Sequence, residues 1–139
     1  MKKLIFLALF SISFASLAQD ASKGGVDFFE GSFKAALAKA KKENKLIMFD
    51  AYTTWCGPCK VLKTKVFPNK ELGDYINKKF VSIGVDMEAG EGIQLANMYP
   101  LDGYPTIFFL DAEGKVKRKI LGLPRGGAQE LLSIAKTIQ

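Results

Sequence analysis

Two short, almost wholly apolar runs constrain the fold most: LIMF at residues 46–49 and TIFFL at residues 106–110. Each run is too short to be a typical helix, and each is bounded by polar or turn-forming residues. Strands of this composition are buried on both faces, as happens when a sheet lies between two layers of helices. The chain is therefore predicted to have an α/β fold.

Helical and strand patterns alternate around these runs. With Ser32 as N-cap, apolar residues recur at helical spacing up to Asn44. Further helices are predicted from the cysteines to about Val66, from an Asn69 cap, over residues 91–99 and over residues 128–138. Further strands are predicted over residues 80–86 and, as a charged edge strand, over residues 115–121. This order predicts a central mixed β-sheet flanked by helices on both faces, with its last two strands antiparallel.

The first eighteen residues predict export. Lys2 and Lys3 precede an apolar stretch, and small residues follow at positions 16 and 18, which is the three-part plan of a secretory signal peptide. Cleavage between Ala18 and Gln19 would leave a periplasmic or otherwise exported chain, and an uncleaved membrane anchor is the alternative. After the signal peptide (1–18), we expect a flexible lead-in over residues 19–29 and one domain over residues 30–139.

Charge and missing residue types exclude several classes of function. The formal net charge of +6 includes two leader lysines, and the lysines of residues 34–45 and 60–65 are predicted to face solvent. No nucleic-acid partner is therefore expected. The chain has no histidine, which excludes Ser-His-Asp and Cys-His catalysis and mixed Cys/His zinc sites. Because it has only two cysteines, one chain cannot form a four-thiolate zinc site, and no metal is predicted.

Both cysteines lie in FDAYTTWCGPCK, residues 49–60. At a strand-to-helix junction Cys56 would begin the helix, where unpaired N–H groups and the helix dipole stabilise a thiolate. Pro58 suits a first helical turn, and Gly57 allows a substrate backbone to approach closely. A disulfide to Cys59 closes too small a loop to constrain the unfolded chain much. A redox pair is therefore favoured over a structural disulfide.

Asp50 lies six residues before Cys56, directly after the first apolar run. An ionised carboxylate buried there would cost several kcal/mol, so we expect a raised pKa and a wholly or partly protonated side chain. Such a group could exchange a proton with the second, buried sulfur, that of Cys59, which favours a pKa near ambient pH. The alternative is an aspartate at a strand end that faces water.

The chain resembles the thioredoxins. The resemblance rests on FDAYTTWCGPCK, on GYPTIFFLDAEGKV, on the later Gly122 and on the order of elements from about residue 30. It implies the thioredoxin fold, with Cys56 as the nucleophile, Cys59 as the resolving cysteine and Asp50 as a buried proton carrier.

The resemblance also implies the surroundings of the cysteines. The residues implied to support the active site are Trp55, Gly57, Pro58 and a cis Pro105. Substrate contacts are implied for Trp55, Tyr104 and Gly122, with the Tyr104 backbone binding an extended substrate segment.

Two positions depart from the thioredoxin pattern. Ser82 stands where thioredoxins usually carry a lysine near the buried aspartate, so Asp50 is expected to be more strongly protonated at rest. Tyr104 is bulkier than the usual aliphatic residue before the cis proline, which bears on substrate choice. The leading helix and residues 66–81 look more like exported thioredoxin-like proteins, among them the periplasmic terminal domain of transmembrane electron transporters.

The resemblance predicts an exported thiol:disulfide oxidoreductase that reduces protein disulfides through a mixed disulfide. No cofactor is expected beyond the Cys56–Cys59 disulfide. The expected partners are disulfide-containing protein substrates and a membrane electron-relay protein as reductant, and the protein itself is expected to be a monomer. One alternative is a disulfide-donating oxidase or isomerase. Another, from a different class, is a non-catalytic binding module or a carrier of a soft metal ion.

Overall fold

A computed structural model describes residues 24–139, so the predicted signal peptide lies outside the described part. The elements, in chain order, are α1 (Phe33–Glu43), β1 (Leu46–Tyr52), α2 (Gly57–Val61), a π-helical turn (Leu62–Val66), α3 (Lys70–Lys79), β2 (Phe80–Asp86), α4 (Gly92–Met98), β3 (Thr106–Leu110), β4 (Val116–Leu121) and α5 (Gly127–Lys136). Among residues 24–139, no helix has the length and apolar character needed to cross a bilayer.

The four strands form one mixed sheet in the order β2-β1-β3-β4. β1 runs parallel to β2 and antiparallel to β3, and β3 runs antiparallel to β4. Both central strands are buried along their length apart from the two ends of β1, whereas β4 is a half-exposed edge. The predicted mixed α/β sheet, with two buried apolar strands at its centre, is confirmed.

The helix ends are set by the residues expected to cap them. The Ser32 side chain accepts a hydrogen bond from the Ala35 N–H at the start of α1. Asn44 ends that helix in the left-handed region, with φ at 53°. The Asn69 side chain caps α3 in the same way as Ser32 caps α1, accepting from the Leu72 N–H at 3.0 Å. These short-range hydrogen bonds explain why the sequence predicts these helix ends correctly.

The helix that begins at the cysteines differs from its prediction in its last turn. α2 ends at Val61, and the π-helical turn continues the helix to Val66. In this turn the Phe67 N–H donates to the Leu62 carbonyl, five residues back, at 2.9 Å. π-helical turns are rare and occur often at functional sites, and no sequence pattern here indicates one.

The two faces of the sheet carry separate cores. On one face an aromatic group, Phe33, Phe49, Tyr99 and Phe108, packs between the sheet and helices α1 and α4. On the other face Met48 and its neighbours pack under α2, the π-helical turn, α3 and α5. Side chains alternate between faces along a strand, so Asp50 shares the face of Met48 and lies on the α2 side.

The described part of the predicted lead-in, residues 24–29, packs against the domain. The Val26 N–H donates to the Phe67 carbonyl at 2.8 Å, and the Phe29 N–H donates to the Ser82 carbonyl at 2.7 Å. The rings of Phe28 and Phe67 meet edge to face, with centroids 4.9 Å apart. These contacts hold the segment along the outer edge of β2 and over the π-helical turn.

Candidate active site

The two cysteines form a disulfide at the N-terminal end of α2, with their Cα atoms 5.3 Å apart. Cys56 is the N-cap residue, and its sulfur accepts a hydrogen bond from the Cys59 N–H at 3.1 Å. Pro58 occupies the first turn, where its missing N–H leaves no hydrogen bond unmade. In the reduced protein the same N–H group and helix end would stabilise a Cys56 thiolate.

Both sulfur-bearing residues are covered in the disulfide form. Cys56 is 2% exposed and Cys59 is 6% exposed. The sequence-based expectation placed only Cys59 in a buried position, whereas the fold covers both residues. Gly57 and Pro58, between them, are exposed, and a Cβ atom on Gly57 would meet no atom within 4 Å. A substrate therefore has open space at Gly57, directly beside Cys56.

The loop residues expected around the cysteines are connected to one another. The Tyr104–Pro105 peptide bond is cis, as the resemblance implies. The Pro105 carbonyl accepts a hydrogen bond from the Gly122 N–H at 2.8 Å. The Trp55 ring, 65% exposed, meets the Tyr104 ring edge to face with centroids 5.9 Å apart. Trp55, next to Cys56, therefore contacts the loop before β3 through Tyr104, and the same loop is hydrogen-bonded to the end of β4 through Pro105.

Asp50 is buried, with 7% of its surface exposed. Its Oδ1 atom has no hydrogen-bond partner within residues 24–139. Burial raises the pKa of Asp50 to about 7, and the positive charge of Lys63 acts in the opposite direction. The raised pKa agrees with the expectation for a carboxyl in a buried strand, because removal from water disfavours the charged form.

Asp50 and Cys59 line one cleft of about 820 Å³. One wall of the cleft is formed by residues near the cysteines, including Thr53 and Lys63, and the other by Val26, residues 28–31, Phe67 and Pro68. The Asp50 carboxyl and the second cysteine therefore share one cleft. Among the described residues, no group of three or more His, Cys, Asp or Glu side chains is placed to hold a metal ion.

Two residues of the site are not identified by sequence reasoning. Lys63 follows Cys59 by four residues, so helical spacing alone could have placed it on the side of α2 that carries the second sulfur. Glu88 accepts a hydrogen bond from the Trp55 indole N–H at 2.8 Å. It has no comparable sequence signal, because the contact depends on the loop after β2 folding back toward the cysteines.

Comparisons with known proteins agree with this geometry. A family model described as a thioredoxin-like domain matches residues 33–137. The thioredoxin of Mycoplasmoides gallisepticum is 32% identical over 100 residues, which cover 71% of this chain and 93% of that protein. The thiol:disulfide interchange protein DsbD of Pseudoalteromonas atlantica is 31% identical over 84 residues. That match covers 60% of this chain but only 14% of the DsbD protein.

A solved structure extends the similarity to the whole domain. The solution structure of a proposed disulphide-isomerase from Bacteroides thetaiotaomicron superposes with a TM-score of 0.71. It shares 42% sequence identity, and the match covers 81% of this chain and 92% of that one. Together with the Cys56–Cys59 pair at the end of α2 and the mixed sheet, these similarities show that the chain belongs to the thioredoxin-like family of thiol:disulfide oxidoreductases.

Proposed function

We propose that this protein is an exported oxidoreductase that reduces disulfides in substrate proteins. The observation that carries the proposal is the Cys56–Cys59 pair at the end of α2, with Asp50 and Cys59 lining one cleft. Similarity to a proposed disulphide-isomerase and to a thiol:disulfide interchange protein supports disulfide-containing proteins as the substrate class.

The first step is attack by the Cys56 thiolate on one sulfur of the substrate disulfide. A bond forms between Cys56 and that sulfur, the substrate disulfide breaks, and the second substrate sulfur leaves as a thiolate that takes a proton from water. The Cys59 N–H, which donates to the Cys56 sulfur in the disulfide form, stabilises the attacking thiolate. The product is a mixed disulfide.

The second step is release of the substrate by Cys59. The Asp50 carboxylate takes the proton of the Cys59 thiol, and the resulting thiolate attacks the Cys56 sulfur. The Cys56–Cys59 bond forms while the bond from Cys56 to the substrate breaks, and the substrate sulfur leaves as a thiolate that takes a proton from water. Over the two steps, two electrons have moved to the substrate. Because burial raises the pKa of Asp50 to about 7, both the acid and the base form are populated at neutral pH.

Substrate binding is assigned to the surface around Trp55, Tyr104 and Gly122. The exposed Trp55 ring offers an apolar contact, and the Tyr104 backbone can pair with an extended substrate segment by strand addition. Glu88 fixes the indole in place through its hydrogen bond, so less side-chain freedom is lost when substrate binds.

The Cys56–Cys59 disulfide formed in each cycle must be reduced again. In an oxidising compartment the electrons would come from a membrane electron-relay protein that carries a dithiol, which is consistent with the similarity to DsbD. The signal-peptide pattern of residues 1–18 supports the exported location. The Gly-Pro pair between the cysteines resembles that of reducing members of the family and supports the reductive direction. The protein is proposed to act as a monomer.

Insulin reduction in dithiothreitol tests this function. The protein should accelerate precipitation of the insulin B chain, and the Cys56→Ser variant should abolish the acceleration because no nucleophile remains. Ala38→Ser, exposed on α1 away from the cysteines, is the matched control and should retain full activity. The absence of acceleration, or acceleration that persists in Cys56→Ser, would contradict the proposal.

A further inference from the structure

The cleft beside the disulfide contains two buried polar atoms without partners. Asp50 Oδ1 and Thr53 Oγ1 have no hydrogen-bond partner among the described residues, and both residues line the cleft. Buried polar groups are normally hydrogen-bonded to protein or to water. A cleft of about 820 Å³ is large enough to admit several waters. The space between Asp50 and solvent is therefore suited to carrying protons.

The charges around this cleft come from four parts of the chain. Besides Asp50, the titratable side chains that line it in the disulfide form are Glu30 before α1, Tyr52 of β1, Lys60 of α2 and Lys63 of the π-helical turn. The electrostatic influence on Asp50 comes from Lys63, which favours the ionised carboxylate and opposes the effect of burial. β2 presents no charge at this point, because Gly84 pairs with Asp50 and Ser82 is a neutral, buried residue.

Lys63 lies in the π-helical turn, four residues after Cys59, and lines the same cleft as Asp50. Its neighbours Leu62 and Val66 are buried under the sheet, which anchors the turn, while Lys63 itself remains exposed. The ring of Phe67, which follows the turn, packs edge to face against Phe28. Lys63 therefore lies on the cysteine side of the cleft that Asp50 also lines.

We propose that Lys63 is a positioning residue that holds the Asp50 carboxyl in a proton-exchanging state during the release step. The ammonium group stabilises the carboxylate form that accepts the Cys59 proton. In this way the π-helical turn supplies a positive charge to the cleft, which β2 lines only with the uncharged Gly84. The catalytic consequence rests on the function proposed above, whereas the effect on Asp50 itself does not depend on that function.

The test compares Lys63→Met with two controls. Lys63→Arg keeps the charge, and Lys65→Met removes an exposed charge from the same turn that does not line the cleft. The titration midpoint of the Asp50 carboxyl is followed by carbon-13 NMR in the disulfide form. Lys63→Met should raise the midpoint by roughly 0.5–1 pH unit, because loss of a nearby opposite charge favours the protonated acid. Both controls should stay close to the wild-type midpoint.

The pH profile of insulin reduction provides the second measurement. At pH 6 the rate of Lys63→Met should fall by about three- to ten-fold, which is the loss of carboxylate expected from that shift, and the difference should disappear above pH 9. In an Asp50→Asn background, Lys63→Met should have no further effect on the profile. A purely structural role for Lys63 would lower activity equally at every pH.

An unchanged Asp50 midpoint in Lys63→Met would overturn the proposal, whatever the activity. A raised midpoint in a protein that reduces no insulin would uphold the role of Lys63 and contradict the proposed function instead. If Lys63→Met does not fold, a salt titration of the wild-type protein tests the same proposal. Raising the salt concentration from 0.02 to 1 M should screen the exposed lysine and raise the Asp50 midpoint, and no change on salt addition would count against the proposal.

Discussion

At the scale of single residues, Asp50 is the clearest case of burial that determines chemistry. Its pKa rises from an ordinary value of 3.8 to about 7, chiefly because the carboxyl is removed from water. Between these two pH values the folded protein binds more protons than the unfolded chain. The free energy of unfolding therefore falls as pH rises from about 4 to about 7, and above pH 7 the full cost of the buried charge is present.

Asp50→Asn should remove this pH dependence. Relative to wild type, the variant should gain roughly 2–4 kcal/mol of unfolding free energy between pH 4 and pH 8, since the amide does not ionise. Denaturant unfolding at the two pH values measures the difference, and the disulfide form should be used throughout. Insulin reduction by the same variant should be slower, because Cys59 loses its base. Parallel stability curves for wild type and Asp50→Asn would contradict the assigned burial effect.

At the scale of elements, α3 shows how a helix packs against a neighbouring segment. A Cβ atom on Gly73 would lie 2.1 Å from the Gly25 carbonyl oxygen, so the helix and residues 24–29 touch through their backbones. The Asn77 side chain adds a hydrogen bond to the same Gly25 carbonyl at 3.0 Å. Residues 24–29 therefore pack directly against α3, as the sheet does.

Gly73→Ala should destabilise the protein in spite of the higher helix propensity of alanine. In a free helix the change would stabilise by up to about 1 kcal/mol, whereas displacing the Gly25 backbone should cost roughly 1–3 kcal/mol. Lys78→Ala, exposed on the same helix, should change stability by less than about 0.5 kcal/mol. Thermal and denaturant unfolding measure both variants. A stabilised Gly73→Ala protein would show that residues 24–29 do not pack on α3 in solution.

At the scale of the whole molecule, the site is assembled from distant segments. The cysteines come from the start of α2, Asp50 from β1, Tyr104 and Pro105 from the loop before β3, and Gly122 from the end of β4. The sheet brings these segments to one end of the molecule, because β1 lies between β2 and β3 and β4 follows β3 at the edge. The redox behaviour of the pair is thus a property of the complete domain.

The reduction potential of the Cys56–Cys59 pair should lie in the reducing range. For a protein that donates electrons to substrate disulfides we expect a value below about −230 mV, close to the thioredoxin range and well below that of strong oxidants near −120 mV. Equilibration with glutathione or dithiothreitol buffers, followed by thiol alkylation, measures it. A potential near that of the strong oxidants would instead favour the disulfide-donating oxidase.

Much of this protein follows from residues that are close together in the sequence. The caps at Ser32, Asn44 and Asn69 act within a few residues, and the apolar runs at 46–49 and 106–110 are sufficient to predict buried strands. The Cys56–Cys59 pair is equally local, since three positions along a helix bring the two sulfurs within bonding distance. The α/β fold and the redox pair were therefore predictable without a structure.

Other features were decided only by the tertiary structure. The indole of Trp55 finds Glu88 across 33 positions of sequence, and Asn77 reaches Asp27 across 50. The covering of Cys56, the packed residues 24–29 and the action of Lys63 on Asp50 likewise depend on segments that meet only when the chain is folded. Local sequence pattern determines which helices and strands form. The burial and the electrostatic environment of the site residues depend instead on neighbours that are distant in the sequence and meet only in the folded chain.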